Sequence, residues 1–418
     1  MVYQIIFGCV AVLVLFILSY LKPFASLLLL VSVFPFEKVD IVEGISIVVP
    51  IGIIVTLAWV LRAGVRRLIL GREAWMITAL FIISLISMLS TGVYCDKIQS
   101  IFQGIVFVIL VNNIVISIGQ VYTLSAIAPI MLLCVVIYGI YLFISAGGVA
   151  GERFPGVIFD SNYYALYCVT LMPALIAVAL TVRQRIVQVV IYVIIGIGAS
   201  AFFFAQSRAG LISALVVSLL YTIQSKSKAI KRLMLLVMVI FIIASAIPVQ
   251  YMSHWFEAVE YETYSTGTGA ARLEAWMAGV KMFMEHPLSG VGLGKFEDNA
   301  SSYAIGITQR RINEMYAHNS YIEIAAETGI GGLVLFVALM FCMAANLKKA
   351  VRNFTICGAK HAYNVAYGLY LGSIGYLVGQ FFVSAQYRKY LWLMIGLSAA
   401  VRRISEVYII KWQKSGKY

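Results

Sequence analysis

Residues 317–347 read AHNSYIEIAAETGIGGLVLFVALMFCMAANL, a polar cluster that leads directly into an apolar run. The run at 331–347 contains no charged residue. Continuous apolar stretches of about 18 residues are typical of membrane-spanning helices. We therefore predict that a helix enters a bilayer here, with His318, Asn319 and two glutamates at its mouth.

The rest of the chain repeats this apolar pattern. Of its 418 residues, 62% are hydrophobic and 12% are charged, whereas soluble domains are nearer half apolar and a quarter charged. We predict an all-α, polytopic membrane bundle of about 12–13 transmembrane helices with one large extracytoplasmic helical loop. The predicted spans are 3–20, 23–36, 44–61, 75–92, 100–117, 122–146, 161–181, 187–205, 209–223, 233–248, 322–346, 363–384 and 389–401.

The first predicted spans leave one alternative open. The dipeptide Lys22-Pro23 either separates two short spans or kinks a single one, so the orientation of the N-terminus is not fixed. The first segment lacks the basic start and small-residue cleavage site of a signal peptide. We expect it to remain as a span.

The chain has a net charge of +13, and the positions of its basic residues show what this excess indicates. Most of the 31 lysines and arginines fall in the connections 62–74, 182–186, 224–232 and 347–361 and in the C-terminal tail. When the spans are counted in order, these segments share one side, which the positive-inside rule makes the cytoplasm. The basic excess therefore indicates topology, helped by contact with anionic membrane lipids, and gives no reason to expect a nucleic-acid partner.

One connection is much longer than the others. We divide the chain into an N-terminal transmembrane bundle (1–248), a large periplasmic loop with candidate catalytic elements (249–321), and C-terminal transmembrane helices with a basic cytoplasmic tail (322–418). Within the loop, apolar residues recur at helical spacing after Thr268 or Gly269, and Pro287 ends the pattern. This amphipathic helix is expected to lie on the membrane surface or on the bundle.

The glycine-rich sequence GVGLGKF at 290–296 resembles a phosphate-binding loop only superficially. No strand precedes it and no GK[ST] follows, so it lacks the context of a nucleotide site. We interpret Gly290, Gly292 and Gly294 as a tight turn that permits close packing. Contact between this backbone and a substrate is the alternative.

Several arginines occur on the predicted outer side of the membrane, where the positive-inside rule does not explain them. Arg208 lies in FFFAQSRAGLISAL at the end of a span, and Arg272 heads the amphipathic helix. A charge at membrane depth is costly and indicates function, although snorkelling to the interface is the alternative. Because guanidinium groups bind phosphate oxygens well, these residues predict a site for a lipid-linked pyrophosphate. Further candidates are Arg153, Arg310 and Arg311.

Two polar positions near these arginines have alternative explanations. Asn162 follows Asp160 and Ser161 at a predicted helix start, where a simple N-cap formed by Asp160 or Ser161 is the alternative to a functional role. His318 stands at the water–membrane border, and imidazole takes and gives protons near neutral pH. The alternative for His318 is a packing role. The other histidines show no spacing with it that would form a metal site, so we expect neither a metal nor another cofactor.

These residues resemble motifs of the O-antigen ligase and O-antigen polymerase superfamily. The matching segments are ARLEAWMAGVKMFMEHPLSGVGLGKF at 271–296 and AHNSYIEIAAETGIGGLVLF at 317–336. The SRAG at 207–210 and the FPGVIFDSN at 154–162 resemble upstream patterns of the same superfamily. The N-terminal spans match it only in general character.

This resemblance implies a multi-pass membrane glycosyltransferase in the bacterial inner membrane whose active site faces the periplasm. It implies metal-independent, inverting transfer of a glycan from undecaprenyl diphosphate to an acceptor hydroxyl, in lipopolysaccharide biosynthesis the hydroxyl of lipid A–core. Arg208 and Arg272 would bind the donor pyrophosphate, with Arg310 or Arg311 adding to that site. His318 would be the base or would otherwise stabilise the transition state. Asn319, Asn162 and Glu323 are expected to have supporting roles.

Two other functions fit parts of the sequence. A polymerase of O-antigen or exopolysaccharide would use a second lipid-linked repeat as the acceptor, and the same residues would serve it. A transporter of lipid-linked glycan is less well supported, because we find no internal repeat and almost no charge at mid-span. We favour the ligase type.

Overall fold

The computed structural model describes residues 2–36, 40–42, 45–63, 68–145, 161–204, 207–224, 268–303 and 316–415. The predicted span at 233–248 and the candidate residues Arg153, Arg310 and Arg311 lie outside these ranges. The described helices are α1 Val2–Leu21, α2 Pro23–Ser32, α3 Val48–Ala63, α4 Arg72–Thr91, α5 Asp96–Ile114, α6 Ile118–Ser145, α7 Ser161–Ala179, α8 Arg185–Phe204, α9 Arg208–Gln224, α10 Thr268–Glu285, α11 Phe296–Tyr303, α12 Ser320–Ile356, α13 Lys360–Gly379 and α14 Lys389–Lys414.

The described secondary structure is otherwise small. A 3₁₀ turn at Phe34–Phe36 is followed by a short antiparallel hairpin of β1, Asp40–Val42, and β2, Ile45–Ser46. Among the described residues, α4, α5, Asn162–Ala179 of α7, and α12 are long and apolar enough to cross a membrane. Shorter apolar helices accompany them. The fold is therefore an all-α polytopic membrane bundle, as the sequence predicted.

The C-terminal helices pack among the N-terminal ones. Helix α13 lies against α7 and α9, α14 lies against α5, and α12 lies against α4. Helix α13 lies so close to α7 that a Cβ at Gly372 would stand 2.0 Å from the carbonyl oxygen of Thr170. Glycine permits this approach because it has no Cβ. Small residues at helix contacts are the usual means of close packing in membranes. Helices α2–α9 and α12–α14 thus contribute to one core.

Basic residues of the connection 62–74 and of the C-terminal tail lie together at one end of this bundle. Arg72 and Arg402 both donate to Oδ1 of Asn346, at 2.6 and 3.0 Å. Arg403 donates to the carbonyl oxygen of Val115 at 2.8 Å. These contacts bring the start of α4, the end of α5 and the C-terminal halves of α12 and α14 together, in agreement with the charge pattern. Because α12 runs from Ser320 towards this end, His318 lies at the opposite end.

The structure resolves the alternative at Lys22. Helix α1 ends at Leu21, α2 begins at Pro23, and α1 packs along α3. Arg62 at the end of α3 donates to the carbonyl oxygens of Tyr20 and Leu21. The dipeptide Lys22-Pro23 therefore separates two helices instead of kinking one.

Two helices are longer than the predicted spans 322–346 and 389–401. Helices α12 and α14 continue beyond the apolar run because their polar residues bond to one another. Asn353 donates to Ser405 at 3.0 Å, and Lys349 pairs with Glu406 at 2.9 Å. A hydropathy pattern does not detect such side-by-side polar pairing, which explains the difference in length.

Candidate functional site

His318 stands one residue before the cap of α12. Asn319 is the N-cap: its Oδ1 accepts from the backbone nitrogens of Tyr321 and Ile322, at 2.9 and 3.1 Å. This bonding satisfies donors that a helix start leaves without partners. Asn319 thus supports the site by fixing where the helix begins.

The backbone of His318 is strained. Its φ is 47°, and it is the one non-glycine residue with positive φ in the part of the chain that the structure describes. Such a conformation costs about 1–3 kcal/mol and persists only where surrounding contacts enforce it. The imidazole is partly buried, and its ring centroid lies 6.0 Å from that of Tyr316. Strain at a titratable residue indicates a functional position.

Two sets of contacts hold the His318 segment. On one side, Nε1 of Trp276 in α10 donates to the carbonyl oxygen of Ala317 at 3.0 Å. On the other, the connecting loop, residues 380–388 between α13 and α14, binds Ser320. Ser320 donates through its backbone nitrogen to Gln380 and through its hydroxyl to Val383, both at 2.9 Å. His318 is therefore fixed between α10 and the connecting loop.

Arg272 lies on α10, the helix that bonds to the His318 segment through Trp276. It precedes Trp276 by four residues, so the two lie on one helix face, about 6 Å apart along the axis. Trp276 is the residue that bonds next to His318. The structure thus places two residues that are 46 positions apart in sequence on neighbouring elements.

Asn162 and Arg208 come together at two helix starts. Ser207 precedes Arg208, the first residue of α9, and its hydroxyl accepts from the backbone nitrogen of Gly210 at 3.2 Å. The same hydroxyl donates to Oδ1 of Asn162 in the first turn of α7 at 2.8 Å. Asn162 therefore supports the start of the helix that carries Arg208.

The connecting loop joins these helix starts to the His318 segment. The hydroxyl of Tyr163 donates to the carbonyl oxygen of Ser384 at 2.9 Å. The guanidinium carbon of Arg388, at the end of the loop, lies 4.1 Å from the centroid of the Tyr163 ring. This cation–π contact holds the guanidinium group against Tyr163, the residue that follows Asn162. The loop therefore contacts both α7 and α12.

Sequence reasoning missed Arg388. One signal for it was present: Arg388 and Lys389 stand at the end of the bundle opposite the basic connections, where the charge rule leaves them unexplained.

A buried ion cluster lies below His318. Nζ of Lys97 in α5 lies 2.7 Å from Oε1 of Glu323 and 2.7 Å from Oε1 of Glu327. The two glutamates stand one turn apart on α12, where like charges repel, and the lysine offsets that repulsion. Glu323 is committed to this cluster, and its expected supporting role stays a prediction. Sequence reasoning missed Lys97, whose partners lie more than 200 residues away.

Tyr387 of the connecting loop closes the cluster. Nζ of Lys97 lies 5.7 Å from the centroid of its ring. Burial raises the pKa of the Tyr387 phenol well above its ordinary value, and the charge of Glu327 adds to the effect. Tyr387 therefore stays protonated at neutral pH.

The glycine-rich turn packs against a kink in α12. Gly290 has φ 66°, and a Cβ there would lie 2.3 Å from the carbonyl carbon of Glu327. Gly329 has φ 67° and breaks the helix, and the carbonyl oxygen of Pro287 accepts from Ile330 at 2.8 Å. The backbone nitrogen of Val291 donates to Ala326 at 2.8 Å. The tight-turn interpretation is therefore correct, and this nitrogen is engaged by α12 instead of a ligand.

The amphipathic helix α10 has two unlike faces. Ala275, Ala278 and Met282 are buried against α11 and α12. The predicted apolar stripe is largely exposed: Met277 is 41% and Met284 is 72% exposed. The stripe therefore faces away from the bundle, as expected for a helix that lies on a membrane surface.

The central part of the chain matches a known family. Residues 191–337 match the sequence model of the family described as O-antigen ligase. This segment contains Arg208, Arg272 and His318. The match supports the superfamily that the motifs indicated.

One curated relative was found by sequence comparison. The chain is 24% identical over 206 residues to the ComP-specific O-oligosaccharyltransferase of Acinetobacter baylyi. This alignment covers 43% of the chain and 35% of that protein. The chain therefore spans about a third of the length of this relative.

Proposed function

We propose that this protein is a ligase-type glycosyltransferase of the bacterial inner membrane. In this proposal it moves a glycan from undecaprenyl diphosphate to a hydroxyl of lipid A–core on the periplasmic face. The observation that carries the proposal is the strained histidine at the mouth of a membrane helix, linked to helix starts that bear arginines. The basic connections lie at the opposite end, as an inner-membrane orientation requires.

The proposed reaction is a single displacement at the anomeric carbon. His318 takes the proton of the acceptor hydroxyl as its oxygen attacks the face opposite the pyrophosphate. The bond from the anomeric carbon to the phosphate oxygen breaks, the electron pair leaves with undecaprenyl diphosphate, and the configuration inverts. Arg208 and Arg272 offset the charge on the leaving group, and no metal takes part. Arg153, Arg310 and Arg311 remain candidates for the same phosphate site.

Supporting roles follow from the contacts. Asn319 and Asn162 fix the starts of the helices that carry or follow His318 and Arg208. Arg388, held against Tyr163, adds a further guanidinium group to the phosphate site in this proposal. The lipid chain of the proposed donor stays in the bilayer while its pyrophosphate stands outside. This division explains why the polar cluster lies at the membrane border.

A second candidate concerns the acceptor. The relative is named as an O-oligosaccharyltransferase specific for ComP, which favours a protein hydroxyl. A polymerase would instead use a second lipid-linked repeat. All three acceptors supply a hydroxyl to the same base. Identifying the acceptor therefore distinguishes the ligase, the protein transferase and the polymerase.

The acceptor is identified by a direct assay. Purified protein in lipid nanodiscs is given a defined undecaprenyl-diphosphate glycan with lipid A–core, a second lipid-linked repeat, or an acceptor protein. Product on lipid A–core alone supports the ligase. Product on the repeat or on the protein replaces the ligase by a polymerase or a protein transferase. Donor binding without product on any acceptor contradicts the proposal.

Replacing Arg272 by alanine is expected to lower the transfer rate by about 10²–10³-fold, by analogy with the loss of one oxyanion donor. The guanidinium group is proposed to stabilise charge that develops as pyrophosphate leaves. Single-turnover transfer at saturating donor measures this step. The matched control is Arg352→Ala, an exposed arginine at the opposite end, which should transfer at the wild-type rate. A full rate in folded Arg272→Ala would remove this residue from the site.

Replacing Tyr163 by alanine is expected to weaken donor binding by about 2–30-fold, from a cation–π contribution of about 0.5–2 kcal/mol. Tyr163→Phe keeps the ring under Arg388 and loses only the bond to Ser384, so its donor affinity should stay near wild type. Arg388→Ala should resemble Tyr163→Ala. Titration of donor in nanodiscs measures all three. Equal affinities for the alanine and phenylalanine variants would rule out this role of the ring.

A further inference from the structure

An apolar cavity of about 370 Å³ lies between α2, α3, α5 and α14. It is separate from the His318 segment, whose contacts involve α10 and the connecting loop. Most of its lining is aliphatic or aromatic. Apart from the indole of Trp392, its polar lining residues are Thr56, Gln99, Gln103 and Lys389.

The cavity has the depth of one bilayer leaflet. It extends along α3 from Val48 to Leu57 and along α5 from Gln99 to Leu110. At 1.5 Å per residue these lengths are about 14 and 17 Å, and half of a hydrocarbon core is about 15 Å. Both helices begin at the end of the bundle where His318 lies. The cavity therefore matches the leaflet on that side.

Its side wall is open to lipid. Ile53 is 54% exposed, Leu57 is 53% exposed and Phe102 is 54% exposed. These residues belong to helices in the membrane bundle, so their exposed faces meet hydrocarbon and not water. A lipid chain can enter sideways without crossing a polar barrier.

The outer end of the cavity is basic. Lys389, in the first turn of α14, lines it, and the preceding residue, Arg388, makes a cation–π contact with Tyr163. Two adjacent cations at the level of the headgroups attract an anionic lipid. The positive-inside rule does not explain them, because this end is opposite the basic connections.

A buried hydrogen-bond donor lines the cavity at a deeper level than Lys389. Trp392 is 2% exposed, and its Nε1 has no hydrogen-bond partner among the described residues. A buried N–H without a partner is unfavourable, so an acceptor is expected there. Trp392 lies one turn beyond Lys389, about 4.5 Å along the helix. Phosphate and then ester carbonyl follow in this order down a glycerophospholipid.

We infer that this cavity binds one acyl chain of an anionic glycerophospholipid, with the phosphate at Lys389 and an ester carbonyl accepting from Trp392. The polyprenyl chain of a glycan carrier fits less well, because it is several times longer than one leaflet and has no ester. The inference does not depend on the proposed transfer reaction. A lipid bound here would lie beside the connecting loop and would stabilise it.

A cavity-filling variant tests the acyl chain. Gly52 lines the cavity, and the nearest atom to a Cβ built there is Cδ1 of Leu30 at 3.9 Å, so leucine can extend into the space. Gly196→Leu in α8 is the matched control, since no atom lies within 4 Å of its Cβ. Protein purified in mild detergent is examined by native mass spectrometry and lipid extraction. Wild type and Gly196→Leu should retain a phospholipid that Gly52→Leu loses.

A charge variant tests the headgroup and does not depend on the folding of Gly52→Leu. Wild type should show a higher thermal unfolding temperature in phosphatidylglycerol nanodiscs than in phosphatidylcholine nanodiscs. Lys389→Gln should lose this difference, and Lys348→Gln, an exposed lysine at the other end, should keep it. Equal phospholipid retention by Gly52→Leu, an isoprenoid as the lipid lost, or an unchanged preference in Lys389→Gln would overturn the inference.

Discussion

Replacing His318 by alanine is expected to lower the rate of glycan transfer by about 10²–10⁴-fold, the usual contribution of a general base. The imidazole is proposed to remove the acceptor proton. Among the described residues at this border, no other titratable side chain belongs to a residue with positive φ. Donor affinity should change little, because His318 acts on the acceptor. Single-turnover transfer and donor titration in nanodiscs separate the two effects.

The matched control for this variant is His286→Ala. His286 is exposed, lies just beyond the end of α10 and is at the same end of the bundle. It should transfer at the wild-type rate. A folded His318→Ala protein that keeps more than half of the wild-type rate would show that His318 is not the base.

Replacing Lys97 by methionine is expected to destabilise the protein by about 3–5 kcal/mol, because it leaves buried charge without a partner. Glu327 is fully buried and Glu323 nearly so. Their carboxylates would repel at one turn's separation with no cation between them. Thermal unfolding in detergent, followed by tryptophan fluorescence, measures the loss.

Two further variants sharpen the Lys97 experiment. The triple variant Lys97→Met, Glu323→Gln, Glu327→Gln removes the whole charge cluster and should recover most of the stability. Lys295→Met breaks an ion pair with Asp298 whose carboxylate is 62% exposed, and exposed pairs contribute only about 0–1 kcal/mol. If Lys97→Met unfolds no earlier than Lys295→Met, the cluster does not hold α12.

Hydropathy predicted the fold class and most helix positions because a membrane requires long apolar helices. It did not predict the full length of α12 and α14, whose extensions depend on pairs such as Asn353 with Ser405. It also left Lys22-Pro23 undecided, since only the packing of α1 along α3 distinguishes a break from a kink. Local pattern thus determines where helices occur, and tertiary contact determines where they end.

The candidate site was predicted unevenly for a similar reason. His318 and Arg272 were singled out because their residue types are unusual beside apolar sequence, and their roles stay predictions. Lys97 and Arg388 were missed because their importance lies in partners distant along the chain, Glu327 and Tyr163. The glycine turn was interpreted correctly from its residues, but its partner, the kink at Gly329, required the structure. Arg208 was predicted from its place at the end of a span, and its phosphate-binding role stays a prediction.

The central claim is that His318 drives an inverting transfer from a polyprenyl diphosphate. The most direct test mixes nanodisc-embedded protein with labelled undecaprenyl-diphosphate glycan and lipid A–core in the presence of a metal chelator. The account predicts product with inverted anomeric configuration, matched by released undecaprenyl diphosphate, and a rate lower by about 10²–10⁴-fold for His318→Ala that still binds donor. Retained configuration, loss of transfer on chelation, or equal transfer by His318→Ala would contradict it.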